Sequence, residues 1–293
     1  MIWLFVSVII CIIFSVRESK SECNTISIET QIISTTKISK PYRFVFLSDL
    51  HDKEFGEGNS KLIRAVKAVH PNAILIGGDM MNVRRGKIGT KVTEQLLAGL
   101  TQIAPVYYAN GNNEQRFIWE MEDFEKEYRD FLRILKTYDV HYLNNKTEIL
   151  DDVAITGLNI ESDHYKEFVP KELTKDYIDN TVGSPIDDKY NILLIHSPMF
   201  PDVYWAWGAD LALAGHSHGG VIRFPTDWKR ESGRLNNDRG LISGQYQLFH
   251  RYCAGYFERY DKTMIVSRGL GTHTVNVRIN NKPQVVVVDL LEA

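Results

Sequence analysis

The 293-residue chain has little cysteine, no dominant charge and no long apolar run beyond its N-terminus. Its three cysteines, Cys11, Cys23 and Cys253, form no CxxC pair, which excludes a disulfide framework and a cysteine-based zinc site. The 34 basic and 37 acidic side chains give a net charge of −3, so no positive field favours a specific nucleic-acid partner. Any metal ion must therefore be held by histidine, aspartate, asparagine or glutamate.

The N-terminal segment departs from this average composition. Residues 2–16 (IWLFVSVIICIIFSV) carry no charge, and basic residues follow only after them. The run is shorter than the roughly 20 apolar residues of a full membrane span, and it lacks the basic start of a secretory signal. We expect residues 1–22 to form a membrane anchor, with a cleaved signal segment as the alternative. The basic flank favours a membrane protein whose catalytic part faces the cytoplasm.

The next stretch is polar and rich in serine, threonine and isoleucine, which is typical of a linker or a short edge strand. We place a linker at residues 23–41 and one folded domain at residues 42–293. In that domain, short apolar segments alternate with segments of helical periodicity, predicted as helices at 61–69, 90–103 and around 117–138. The predicted strands are 43–47, 73–76, 106–109, 153–156, 191–195, 211–214, 263–267 and 284–290. This pattern predicts an α/β fold in which two sheets pack together with helices outside.

Side chains able to bind a metal ion follow five of the predicted strands. Each motif alone is more often a turn or a structural residue. Their order along the chain is the specific signal, because ligands of open α/β sheets bind at the carboxyl ends of strands. The motifs are Asp49-Leu50-His51, Gly78-Asp79, Gly111-Asn112-Asn113, His196 and Gly215-His216-Ser217-His218.

This order of motifs resembles that of the calcineurin-like metallophosphoesterase family over roughly residues 42–290. The resemblance implies a four-layer α/β/β/α sandwich of two mixed sheets and a centre with two divalent ions. Imidazole and carboxylate ligands without thiolate suit Mn, Fe, Zn or Ni. Carried over by motif, one ion is held by Asp49, His51 and His218, the other by Asn112, His196 and His216, and Asp79 bridges both.

The C-terminal segments Ser267–Gly271 and Val277–Asn280 are similar to those of a bacterial, membrane-anchored branch of the family. That branch includes enzymes of the UDP-2,3-diacylglucosamine hydrolase type. The resemblance implies hydrolysis of a phosphodiester or pyrophosphate by a hydroxide that bridges the two ions, with Asp79 and His218 among the catalytic residues. The anchor favours a phosphate-ester substrate linked to a lipid or a nucleotide at a membrane surface. A broad phosphomonoesterase or nuclease, and a non-catalytic scaffold of the same fold, are the alternatives.

One position departs from the family pattern. Asn113 stands where the family usually has a histidine, and we predict that it takes part in catalysis. An amide donates a hydrogen bond but no proton, and general acid catalysis contributes roughly 10²–10⁴ in rate. Either the leaving group needs no proton, or another residue supplies it, with His164 and His273 as candidates.

Basic side chains follow two of the motifs. Arg84 and Arg85 come shortly after Asp79, and Arg116 comes shortly after Asn113. Because guanidinium groups suit bidentate contact with phosphate, these three arginines are predicted to bind substrate. A solvated basic loop is the alternative.

Overall fold

The computed structural model describes residues 16–86, 88–166, 170–223, 252–272 and 276–293. Within them, two mixed six-stranded sheets pack face to face. The first sheet consists of β1 (Ser27–Thr35), β2 (Tyr42–Leu47), β3 (Ala73–Ile76), β4 (Val106–Tyr108), β5 (His141–Tyr142) and β12 (Gln284–Glu292), in the order β1-β12-β2-β3-β4-β5. The second consists of β6 (Lys146–Leu150), β7 (Val153–Leu158), β8 (Tyr190–Ile195), β9 (Leu211–Ala214), β10 (Gly255–Arg259) and β11 (Lys262–Val266), in the order β10-β11-β9-β8-β7-β6.

Helices cover the outer faces of both sheets. Besides the helical residues 16–23 (α1), the helices are α2 (Ser60–Ala68), α3 (Lys91–Leu100), α4 (Asn112–Trp119), α5 (Met121–Thr137), α6 (Lys175–Val182) and α7 (Pro201–Trp207). Residues of α2, α3, α4 and α5 share an apolar core with the first sheet, and residues of α6 and α7 share one with the second. The predicted α/β fold of two mixed sheets flanked by helices is confirmed.

Strand β2 shows why the layers form. Phe44 and Phe46 point into the core between the two sheets, whereas Val45 and Leu47 point into the core under the helices. Successive side chains of a strand alternate between its faces, so an uninterrupted apolar run supplies both cores. The same strand runs parallel to β3, and β3 runs parallel to β4. In the second sheet, β8 and β9 are parallel neighbours.

The long helix predicted around 117–138 is two helices. Helix α4 ends at Trp119 and α5 begins at Met121, because Glu120 adopts a non-helical backbone (φ −120°, ψ 43°). The break leaves the aromatic periodicity intact, since Phe117 still packs against Phe124, with ring centroids 6.1 Å apart. The spacing of the apolar residues therefore predicted the shared apolar face but not the break between the two helices.

Residues Ser27–Thr35 form an edge strand, the second of the two alternatives for the predicted linker. Strand β1 pairs in parallel with β12 over its full length, from Ser27 opposite Gln284 to Thr35 opposite Glu292. Its residues alternate between partly buried and exposed, as expected for a strand at the margin of a sheet.

The prediction of a membrane location through an N-terminal anchor is corrected by the structure. In the described part of the chain, no helix is both long enough and apolar enough to cross a bilayer. Most of the predicted anchor, residues 1–15, lies outside the described residues. The described end of it, in α1, packs against the folded domain, where Ser19 and Glu22 are buried.

Candidate metal centre

The structure brings the seven predicted metal ligands together at one edge of the sandwich. They follow the carboxyl ends of three parallel strands of the first sheet and two of the second. The residues are Asp49 and His51 after β2, Asp79 after β3, Asn112 after β4, His196 after β8, and His216 and His218 after β9.

Five of these seven residues have a left-handed backbone conformation. Their φ angles are 54° at Asp49, 49° at His51, 53° at Asp79, 68° at His216 and 52° at His218. Non-glycine residues rarely adopt this conformation, and it costs free energy unless neighbouring contacts hold it. One such contact is the backbone N–H of His216, which donates to Asp49 Oδ1 at 3.0 Å. This concentration of strained residues is typical of a functional site.

The first group of donor atoms comes from Asp49, His51, His218 and Asp79. The Nε2 atoms of His51 and His218 are 3.1 Å apart, and His218 Nε2 lies 3.5 Å from Asp49 Oδ1. His51 Nε2 lies 3.7 Å from Asp79 Oδ2. Donor atoms that share one ion at about 2.1 Å lie about 3.0–3.4 Å from one another. The His51–His218 separation lies in this range and the other two lie just above it, so small side-chain shifts would let the group hold a single divalent cation.

The second group comes from Asn112, His196 and His216, next to Asp79 and Asp49. Asp79 Oδ2 is 3.5 Å from His196 Nε2, and His216 Nδ1 is 3.0 Å from Asn112 Oδ1. Asp49 Oδ2 and His196 Nε2 are buried, and neither has a hydrogen-bond partner among the described residues. Buried polar atoms without partners are costly, and a bound cation would satisfy both. The donor set thus fits divalent ions.

Three of the four histidines are oriented by a hydrogen bond from the opposite ring nitrogen. Donation from Nδ1 leaves the lone pair of Nε2 facing the centre, the usual device for fixing a histidine ligand. The pairs are His51 with Asn82 Oδ1 (3.0 Å), His196 with the Gly77 carbonyl (2.8 Å) and His218 with the Gly271 carbonyl (3.2 Å). No motif in the sequence singled out Asn82 or Gly271 for this role, because they contact the histidines only after folding.

The electrostatics of the centre are set by Asp79 and His196. Burial alone would raise the pKa of Asp79, but the nearby His196 and His51 and the Asn113 N–H outweigh it and hold that pKa below its usual range. Burial would lower the pKa of His196, yet the carboxylates of Asp79 and Asp49 raise it to about 10. Without a cation, the pair is therefore an ionised carboxylate and an imidazolium. A metal ion would replace the proton on His196.

Glu114 is a buried residue that the sequence motifs did not assign to a role. Its carboxylate accepts hydrogen bonds from the backbone N–H groups of Asp79 (2.7 Å), Met80 (2.9 Å) and Gly111 (2.9 Å) and from the Tyr108 hydroxyl (2.8 Å). The acidic residue at the third position of a helix commonly reaches back to the N-cap in this way. Here the same carboxylate also fixes the turn that carries Asp79.

Of the two histidine candidates for the missing proton donor, His164 is described and lies outside the cluster of metal ligands. His164 is buried, its Nδ1 donates to the Lys171 carbonyl at 2.8 Å, and its ring packs against Tyr177. His273 lies outside the described residues. The neighbouring Tyr165 contacts the centre instead, with its ring centroid 5.3 Å from that of His216.

All three predicted substrate arginines lie among the described residues. Arg84 is exposed. Arg85 forms an ion pair with Asp123. Arg116 pairs with Glu120 (2.9 Å) and donates to the Val83 carbonyl (2.7 Å). Their role in binding substrate stays a prediction, and the guanidinium of Arg116 already has protein partners.

The fold and the clustered donors define the chain as a metallophosphoesterase. The sequence model of the calcineurin-like phosphoesterase family matches residues 42–220, which is more than half of the 293 residues, and the chain belongs to this family.

Three bacterial relatives are similar to the chain over most of its length. The "Uncharacterized protein YpbG" of Bacillus subtilis (strain 168) is 25% identical, with 91% of this chain and 88% of that protein covered. The "Uncharacterized metallophosphoesterase YkoQ" of the same organism is 26% identical, with 89% and 87% covered. The "Phosphodiesterase YaeI" of Escherichia coli (strain K12) is 23% identical, with 86% and 83% covered.

Proposed function

We propose that the chain hydrolyses phosphodiester or pyrophosphate bonds with two divalent ions held at this centre. The observation that carries the proposal is the position of Asp79, whose Oδ2 lies 3.7 Å from His51 Nε2 and 3.5 Å from His196 Nε2. A carboxylate between two groups of mainly neutral donors suits two closely spaced cations. Two such ions would supply Lewis acidity toward the phosphoryl oxygens and an activated water.

The residues divide into two ligand sets in this proposal. Asp49, His51 and His218 would hold one ion, whereas Asn112, His196 and His216 would hold the other. Nitrogen and oxygen donors without thiolate suit Mn, Fe, Zn or Ni. Among the seven proposed ligands Asn112 is neutral and only Asp49 and Asp79 carry a carboxylate, which limits the repulsion of an anionic phosphate ester.

Two features support a diester over a monoester. Asn113 cannot supply a proton, which favours a weakly basic leaving group such as an aryloxide, or a nucleoside phosphate released from a pyrophosphate. An aromatic surface also flanks the second ligand set, since Tyr165 packs on His216 and the ring of Trp119 lies 6.0 Å from that of Tyr165. Trp119 is 37% exposed and can contact a second organic group on the phosphorus. A diester carries two such groups, and the relative YaeI bears the name phosphodiesterase.

The test is hydrolysis by the purified full chain supplied with Mn²⁺. We expect bis(p-nitrophenyl) phosphate and a UDP-sugar to be hydrolysed with higher kcat/KM than p-nitrophenyl phosphate. The variant His196→Asn should lose at least about 100-fold in rate, because a metal ligand is lost. The matched control is His70→Asn, at an exposed histidine whose φ of 50° asparagine also tolerates.

Two outcomes would contradict the proposal. Faster hydrolysis of the monoester would favour the phosphomonoesterase alternative. Absence of turnover on all three substrates, with two bound ions verified by metal analysis, would favour a non-catalytic scaffold.

A further inference from the structure

The C-terminal segments that resemble a bacterial branch supply none of the seven ligands, yet they contact the centre directly. The loop Ser267–Gly271, which follows β11, packs against the first metal-binding motif. The N–H of Leu270 donates to the Ser48 carbonyl (3.0 Å), and the N–H of Gly271 donates to the Asp49 carbonyl (2.6 Å). A Cβ atom on Gly271 would lie 2.0 Å from the Leu50 carbonyl oxygen. The contact is therefore too close for any side chain.

A buried arginine holds this loop in place. Arg278 is 1% exposed, and its guanidinium donates to four main-chain carbonyls. They belong to Asn281 (3.0 Å), Arg268 (2.9 Å), Gly269 (3.3 Å) and Gly271 (2.5 Å). Burial lowers the pKa of Arg278 to about 10, so the group is still protonated at neutral pH. Burying a full charge is expensive, which points to a specific structural demand.

The metal ligand His218 is held at two points by this assembly. Its Nδ1 donates to the Gly271 carbonyl (3.2 Å), the same oxygen that accepts from Arg278. Its backbone carbonyl accepts from the side-chain amide of Asn281 at 2.9 Å. Ring orientation and backbone position therefore both depend on residues 278–281.

Helix α1 fixes residues 278–281 in turn. The hydroxyl of Ser19 accepts from the backbone N–H of Arg278 at 3.0 Å, and a carboxylate oxygen of Glu22 accepts from that of Asn281 at 2.9 Å. Ser19 and Glu22 are each 5% exposed. These contacts connect the N-terminal helix with a metal ligand through a continuous chain of hydrogen bonds.

We propose that Arg278 is a positioning residue of the metal centre, which orients His218 through the Gly271 carbonyl, and that α1 sets the affinity for one ion by fixing Arg278 and Asn281. The inference rests on the proposed function in one respect, that the centre binds divalent ions. It assigns a role to the C-terminal segments and to the N-terminal helix, which act on the ion of Asp49, His51 and His218.

The test compares Arg278→Gln and Arg278→Lys in the full chain by isothermal titration with Mn²⁺. We expect Arg278→Gln to weaken the binding of one of the two Mn²⁺ ions by about 10–100-fold, the usual effect of removing a group that orients a ligand. Arg278→Lys should fall between wild type and Arg278→Gln, because one ammonium cannot replace the guanidinium fork. The visible absorption of bound Co²⁺ should change as well, since it reports ligand geometry.

The matched control is Arg43→Gln. Arg43 lies at the opposite end of β2 from the centre and pairs with Asp289 at 2.6 Å. This variant should lower the urea midpoint without changing either Mn²⁺ dissociation constant or the Co²⁺ spectrum. Glu22→Gln and Ser19→Ala are milder changes, and each should weaken the binding of the same Mn²⁺ ion several-fold. They provide the measurement if Arg278→Gln does not fold.

Wild-type Mn²⁺ affinity and an unchanged Co²⁺ spectrum in folded Arg278→Gln, or in Glu22→Gln if the former does not fold, would overturn the inference. Binding is measured without turnover, so the result is separate from the proposed activity. An inactive wild type that binds two ions would contradict only the proposed activity. A wild type that binds no ion would contradict both.

Discussion

Asn113 donates two hydrogen bonds to Asp79, one from its backbone N–H to Oδ1 (2.7 Å) and one from its side-chain amide to Oδ2 (2.6 Å). Its own Oδ1 accepts from the N–H of Val83 at 3.1 Å. Asn113 is 3% exposed, so it lies beneath the centre. The residue that replaces the family's usual histidine therefore orients the carboxylate shared by both ligand groups.

Replacing Asn113 by alanine should weaken metal binding and lower stability together. The change removes a donor to Asp79 and leaves the buried N–H of Val83 without its partner, which costs about 1–3 kcal/mol in the free energy of unfolding. Mn²⁺ affinity should fall about tenfold or more. Urea unfolding and Mn²⁺ titration measure the two effects. Asn180→Ala, at an exposed position of α6, is the control and should change neither; wild-type Mn²⁺ affinity in Asn113→Ala would contradict the prediction.

Replacing Gly111 by alanine should displace Asp79. A Cβ atom on Gly111 would lie 2.1 Å from Asp79 Oδ1 and 2.4 Å from the Asp79 nitrogen, distances that no packed side chain tolerates. We expect a loss of about 1–3 kcal/mol in stability, as in other overpacked sites, and at least tenfold weaker Mn²⁺ binding. Gly89→Ala is the matched control because a Cβ atom there meets nothing within 4 Å. If the two variants had the same stability and the same Mn²⁺ affinity, the turn at Gly111 would accommodate the added methyl group without moving Asp79.

Metal binding at pH 8 should release about one proton from His196. The neighbouring carboxylates raise the pKa of this histidine from 6.5 to about 10 in the metal-free protein, whereas a metal ligand must be neutral. The enthalpy of Mn²⁺ binding should therefore depend on the ionisation enthalpy of the buffer. A buffer-independent enthalpy would mean that His196 is already neutral.

The raised pKa of His196 also predicts that the stability of the metal-free protein depends on pH. Because the folded pKa is raised, the stabilisation is complete below about pH 6.5 and is lost as the pH rises toward 10. The melting temperature should decline over this interval, and the decline should be smaller in His196→Asn. His70→Asn is the control and should keep the wild-type profile.

Tyr165→Phe should separate substrate binding from metal binding. The hydroxyl of Tyr165 accepts from the side-chain amide of Gln115 at 3.2 Å, and the ring contacts His216. Removing the hydroxyl breaks its hydrogen bond with Gln115 and releases the ring that flanks the second ligand set, so KM for the diester should rise about two- to tenfold while kcat and Mn²⁺ affinity change little. Tyr260→Phe is the control, because that side chain is 86% exposed. A fall in kcat at constant KM would instead assign the hydroxyl to the chemical step.

Local patterns were sufficient for the strands that carry the centre. Strands 73–76 and 211–214 were predicted with the bounds that the structure has, because short buried strands are uninterrupted apolar runs bounded by glycine or polar residues. Strand β5 was not predicted because it has only two residues and pairs with β4, far earlier in the chain. Strand β6 was not predicted because its partly exposed residues form no apolar run, although it pairs with the adjacent strand β7. The kink at Glu120 was not predicted because the aromatic periodicity continues across it, from Phe117 to Phe124.

The sequence by itself determined the two-sheet α/β fold and the order of the seven donor residues, because strand patterns and strand-end motifs consist of residues that are adjacent in the sequence. Only the tertiary structure decided that Asn113 supports Asp79, that Glu114 fixes the adjoining turn, and that α1 packs on the domain. These contacts join residues as far apart as Ser19 and Arg278. Hydrogen bonds of this kind depend on where folding brings each segment, and no local pattern encodes that position.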